Sequence, residues 1–113
     1  CGDGGFMMNV QELETAVRYK TNIVVVVWGD NGYNLIELLF VNEFGHHTEL
    51  SFGNPDFLKL AEAFGCAGFK VERSRDLAPT LEDAFTCGRP ALVAVPIDYR
   101  ENDRMYEKLR ITA

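Results

Sequence analysis

Apolar positions along this chain fall into blocks with two different spacings. Val10, Leu13, Ala16 and Val17 recur at helical intervals, with Glu12, Glu14, Arg18 and Lys20 left for a wetter face. This predicts a helix over about Asn9–Tyr19, or beginning a turn earlier, with Asn9 as cap and Glu12 as its reciprocal acid. Ile23–Trp28 is a continuous β-branched run that does not alternate, as expected of a strand covered on both faces. Gly29-Asp30-Asn31-Gly32 ends it. The run from Tyr33 to Phe40 also fails to alternate, so a short helix is favoured there over a returning hairpin strand. A polar and aromatic loop follows from Glu43 to Phe52, containing His46 and His47.

Asn54-Pro55 reads as a cap and first helical position, with Phe57, Leu58, Leu60, Ala61 and Phe64 forming an apolar face and Gly65 as the stop. Gly68–Val71 reads as a short strand. Ser74 is a candidate cap for a helix whose regular part starts near Pro79 and buries Leu77, Leu81, Ala84 and Phe85. Ala91–Pro96 is the last strand, and a charged helical turn or two is expected between Asp98 and Leu109. The fold class is therefore α/β: a three-layer, open, mostly parallel sheet with helices on both faces. No repeat or linker divides residues 1–113.

Composition narrows the function classes. The chain has 113 residues and is 47% apolar, enough for one core. Its formal charge of −6 argues against nucleic-acid binding and polybasic membrane docking. The longest apolar run is much shorter than a bilayer span. Three widely spaced cysteines, without a CxxC, suit neither a disulfide framework nor structural zinc, so a reducing compartment, most simply the cytoplasm, is expected. Cys66 and Cys87 have no convincing base beside them. Cys1 opens directly into a glycine-rich turn with no strand before it, which reads as a piece of a longer protein with its N-terminal part missing.

The candidate chemistry lies in two turns. Cys1-Gly2-Asp3-Gly4-Gly5-Phe6 and Gly29-Asp30-Asn31-Gly32-Tyr33 each hold an acid among glycines. If the strand expected before Cys1 lies beside Ile23–Trp28, both turns open at one sheet edge, where open α/β sheets bind ligands. An Asp in one glycine turn is more often structural; two at matching strand ends favour a site. Asp3, Asp30 and the Gly32 carbonyl are hard oxygen donors of the kind Mg²⁺ prefers, and a helix start after Gly5 would favour a diphosphate. Tyr33 is either pocket wall or simple packing. Phe6, Met7, Met8 and Trp28 read as core. Neither GxGxxG nor GxxxxGK[ST] occurs.

Gly2-Asp3-Gly4 followed by Asp30-Asn31 resembles the fingerprint of thiamin-diphosphate enzymes. The segments GDGGFMMNVQELETAVRYKTNIVVVVWGDNGYNLI, FGNPDFLKLAEAFG and PALVAVPIDY resemble the pyrophosphate-binding domain of the acetolactate synthase group. The resemblance covers nearly the whole chain. It implies thiamin diphosphate and Mg²⁺ as cofactors, with Asp3, Asp30 and the Gly32 carbonyl as metal ligands. Gly2, Gly4, Gly5 and Tyr33 fall at the cofactor. Gly29 and Asn34 depart from the usual residues, which bears on substrate choice.

The activity it implies is decarboxylation of a 2-keto acid such as pyruvate and ligation of the two-carbon unit to a second 2-keto acid, as in branched-chain amino-acid biosynthesis. It further implies a homo-oligomer whose pyrimidine-binding domain, from the same or a partner subunit, carries the activating glutamate. No catalytic residue is assigned within this chain, and the isolated chain is expected to be inactive. The alternatives are a related 2-keto-acid decarboxylase or oxidase, a non-catalytic diphosphate-binding domain, or another Mg²⁺-dependent phosphate-binding domain.

Overall fold

The computed structural model describes residues 1–99 together with Asn102 and Arg104. In chain order the elements are α1 (Asp3–Met7), α2 (Glu12–Arg18), β1 (Val24–Gly29), α3 (Asn34–Phe44), α4 (Phe57–Phe64), β2 (Ala67–Lys70), α5 (Leu77–Thr86) and β3 (Ala91–Pro96). A 3₁₀ turn over Ser74–Asp76 leads into α5. The three strands form a parallel sheet in the order β1-β3-β2. β3 is central, with Val26 opposite Val93 on one side and Phe69 opposite Val93 on the other.

The expected covering of both faces is found. Val25, Val27 and Leu92 pack with Phe6, Leu13 and Ala61 from α1, α2 and α4. Val24, Val26, Ala91, Val93 and Val95 pack instead with Leu77, Leu81 and Ala84 of α5. The apolar run therefore does alternate by face, but into two apolar layers, which is why its pattern looks continuous. Leu92 is 1% exposed at the centre of the first layer. Leu92→Ala is expected to lower unfolding free energy by about 3 kcal/mol, through lost transfer energy and the cavity left behind; denaturant titration measures it.

Several local expectations are corrected. The helix starts at Asp3, with Gly2 at its N-cap, and breaks into turns over residues 8–11 before α2. Asn9 makes no side-chain cap. Gln11 occupies the cap of α2, and the Asn9 carbonyl accepts from the Glu12 N–H at 3.0 Å. The preceding helical turns already supply these N–H groups with partners, so no capping box is needed. Glu14 and Arg18 do pair one turn apart on the exposed face.

The helix after Gly32 forms and runs to Phe44, ending at Gly45 with φ 72°. The cap of α4 is Asp56, not Asn54: its carboxylate accepts from the N–H groups of Leu58 and Lys59. β2 starts one residue earlier than expected. Pro79 lies inside α5, in its first turn, where the missing N–H costs no helical bond. Met8, Trp28 and Phe85 are exposed rather than core, at 65%, 39% and 58%. Met8 follows the end of α1, and Trp28 stands at the open end of β1. Most of the helical turn expected after Asp98 lies outside the described residues.

Candidate functional site

The site is built where α1 meets the carboxyl end of β1. The Trp28 N–H donates to the Cys1 carbonyl at 2.9 Å, and Gly2 bridges Trp28 in parallel register. The residues before α1 thus run alongside β1, and both glycine turns open at the same edge. The Asp30–Gly32 turn is held from its other side by the loop after α3. Gly32 pairs with Ser51 in antiparallel register. The Phe52 N–H donates to the Asn31 carbonyl at 3.0 Å and the Tyr33 N–H to the Leu50 carbonyl at 3.1 Å. Asn31 adopts a left-handed conformation, φ 61°.

Among the described residues, Asp3 is the buried charged one, at 3% exposure. Its Oδ2 accepts from the backbone N–H groups of Asp30 at 3.2 Å and Asn31 at 2.9 Å, and from the Asn54 side-chain amide at 2.5 Å. Its Oδ1 accepts from the Gly4 N–H at 2.9 Å. Burial alone would raise its pKa. The Asn54 amide and the backbone donors of Asn31, Gly4 and Asp30 outweigh it, and the carboxyl is held below the ordinary carboxylate range. The folded pKa is lowered, so the stability Asp3 contributes is complete above the unfolded pKa and is lost as pH falls through the folded value. Asp3→Asn is expected to flatten that part of the acid limb in denaturation measured against pH.

The seven expected site residues come together. Gly2, Asp3, Gly4, Gly5, Asp30, Gly32 and Tyr33 line one crevice of about 240 Å³, alongside Trp28 and Tyr99. Gly4 is buried beneath the Tyr33 ring, and a Cβ there would lie 2.6 Å from Tyr33 Cε1. Tyr33 also packs on Phe52, with ring centroids 5.0 Å apart. It is therefore both packing and crevice wall. At Gly5 a Cβ would meet nothing within 4 Å, leaving room beside the backbone. Asn34 closes the second turn by donating to the Asp30 carbonyl at 3.3 Å.

The donor set facing the crevice is two carboxylates and peptide groups; among the described residues no cluster of three His, Cys, Asp or Glu residues forms a metal site by itself. α1 has five residues, so the helix start expected after Gly5 lies at Gly2–Asp3 and aligns few peptide dipoles. His46 and His47 are exposed, and His47 Nδ1 lies 3.0 Å from Glu37 Oε1. Asp98 and Arg104 make partnered contacts near the end of the described chain. Sequence reasoning missed Asn54 as a site residue: next to Pro55 it looked like a helix cap.

Residues 1–95 match the family described as "Thiamine pyrophosphate enzyme, C-terminal TPP binding domain". The chain is 43% identical over 111 residues to "Acetolactate synthase, catabolic" of Raoultella terrigena, covering 98% of this chain and 20% of that protein. It is 40% identical over 101 residues to "Acetolactate synthase" of Bacillus subtilis (strain 168), covering 89% of this chain and 18% of that one. The chain thus spans about a fifth of the length of these relatives. Among solved structures, benzoylformate decarboxylase from Polynucleobacter necessarius superposes with a TM-score of 0.76 at 26% identity, covering 85% of this chain and 18% of that one. Among the described residues no helix is long and apolar enough to cross a membrane. On the family match, on identity over nearly its whole length and on its fold, this chain belongs to the thiamin-diphosphate enzymes as a C-terminal TPP-binding domain of the acetolactate synthase-like kind.

Proposed function

We propose that this chain anchors the diphosphate end of thiamin diphosphate through Mg²⁺, within an enzyme that decarboxylates pyruvate and ligates the two-carbon unit to a second 2-keto acid. One observation carries the reading: the buried Asp3 carboxylate, its charged form held by four donors, faces one crevice with Asp30, Gly32, Gly4 and Gly5. Asp3, Asp30 and the Gly32 carbonyl are the proposed protein ligands. Three oxygen donors are too few to saturate Mg²⁺, which suits an ion completing its shell with diphosphate oxygens and water. The donor set therefore fits the group.

When bound, the cofactor supplies the carbon–carbon bond chemistry; the protein supplies binding and orientation. Gly2, Gly4 and Gly5 let the diphosphate approach the backbone, and Tyr33 walls the crevice. The net charge of −6 and the five-residue α1 offer little positive potential for an anion. The ion is therefore the main charge partner of the diphosphate. No residue of this chain is assigned an acid or base step, and the chain by itself is proposed to be inactive.

The pyrimidine-binding domain, from the same chain's parent or a partner subunit, supplies the remaining half of the site in a homo-oligomer. The exposed apolar residues of α3 that line the crevice (Leu35 and Ile36) support covering of this edge in the assembled protein. The cytoplasm is the proposed location.

Product analysis of the full-length protein supplied with pyruvate, thiamin diphosphate and Mg²⁺ tests the activity. Acetolactate is the expected product. Free aldehyde would assign a decarboxylase, the activity named for the benzoylformate decarboxylase that shares this fold; peroxide would assign an oxidase. Binding without turnover would assign a diphosphate-binding domain alone.

A further inference from the structure

We propose that Asn54 is a positioning residue for the metal–diphosphate site: it selects which oxygen of Asp3 faces the ion and locks the two halves of the site together. The inference rests on the function proposed above. Asn54 comes from the loop before α4, 51 residues from Asp3, and its Nδ2 donates to Asp3 Oδ2. The same amide donates to Asn31 Oδ1 at 2.9 Å. One side chain therefore ties the first residue of α1 to the turn that carries Asp30 and Gly32.

The donors to Asp3 are unequally divided between its two oxygens. Oδ2 receives three, from Asp30, Asn31 and Asn54, whereas Oδ1 receives one, from Gly4. An ionised carboxylate oxygen has about two lone-pair directions. Oδ2 is saturated, so Oδ1 is the oxygen left with capacity for a cation. Without Asn54, Oδ2 regains room to turn toward the ion and the carboxylate has two competing poses. Asn31, held in its left-handed conformation between the two proposed ligand positions, loses a side-chain partner at the same time.

Asn54 has no competing local task. Asp56 caps α4, and Asn54 is not part of that cap. Its own Oδ1 is buried without a hydrogen-bond partner among the described residues. Burying an unpaired amide oxygen is unfavourable, so this placement is explained by what the other end of the amide holds.

The test is calorimetric titration of thiamin diphosphate into the full-length protein over a Mg²⁺ series, for wild type, Asn54→Ala, Asn54→Asp and the neighbouring cap variant Asp56→Ala. Loss of a group that orients a metal ligand typically weakens metal affinity about 10- to 100-fold. The Mg²⁺ concentration for half-maximal cofactor binding is expected to rise by about that factor in Asn54→Ala. Asn54→Asp keeps the volume but sets a carboxylate against Asp3, so a rise at least as large is expected there. Asp56→Ala is expected to leave the Mg²⁺ half-point unchanged while lowering the melting temperature. Half-points within about twofold of wild type in either folded Asn54 variant would overturn the positioning role. Absence of Mg²⁺-dependent binding in wild type would instead overturn the proposed function itself, and the inference with it.

Discussion

Asp3→Asn is expected to weaken Mg²⁺-dependent thiamin diphosphate binding by about two to three and a half orders of magnitude. The carboxylate is the proposed charged ligand, buried at the meeting of α1 and β1, and burial leaves little water to replace it. Removing one partner of a buried charge pair typically costs about 3–5 kcal/mol, and each 1.4 kcal/mol is about tenfold in affinity. The substitution is nearly isosteric, and its amide oxygen can still accept from the Asp30 and Asn31 N–H groups. The fold is therefore expected to persist with an unchanged circular dichroism spectrum. The affinity measurement separates the two effects: wild-type-like binding by a folded Asp3→Asn protein would remove Asp3 from the proposed ligand set.

Gly4→Ala is expected to damage the site by a different route. The added methyl would lie 2.6 Å from Tyr33 Cε1 and 3.2 Å from the Phe52 ring, so Tyr33 must shift. It is not free to swing away, because its ring is wedged against Phe52 and its N–H is bonded to the Leu50 carbonyl. Overpacking of this kind costs about 1–3 kcal/mol. The displacement is passed along the backbone to Gly32 and Asp30, so cofactor affinity is expected to fall together with melting temperature. Gly5→Ala is the matched control: its Cβ meets no described atom within 4 Å, and Ala is the better helix former, so melting temperature is expected to stay unchanged or rise slightly. Equal stability of the two variants would contradict the packing described for Tyr33.

The parts of the fold carried by local patterns were legible in the sequence. The β-branched run became β1 because both its faces meet helices. The failure of residues 33–40 to alternate correctly indicated α3. The two glycine turns of the candidate site were legible as a pair because the residues just before α1 run in parallel register with β1, as the Gly2–Trp28 bridge shows. What was not legible depends on distant contacts. Asn54 carries a local signal for helix capping, and nothing in its neighbours reveals that its amide reaches Asp3 and Asn31. Trp28 looks like core by residue type, but at the carboxyl end of β1 it lines the crevice. Phe85 lies four residues after Leu81, about 40° beyond it round the helix and at the edge of the face that Leu77, Leu81 and Ala84 bury, a margin too small to read from spacing alone.

Mg²⁺ and Asp3 together are proposed to hold the diphosphate of thiamin diphosphate. Calorimetric titration of thiamin diphosphate into the full-length protein, once with Mg²⁺ and once with excess chelator, tests it most directly. Saturable binding is expected with the ion and none measurable without it. Equal affinity in both titrations, or no binding by a demonstrably folded protein with Mg²⁺ present, would contradict it.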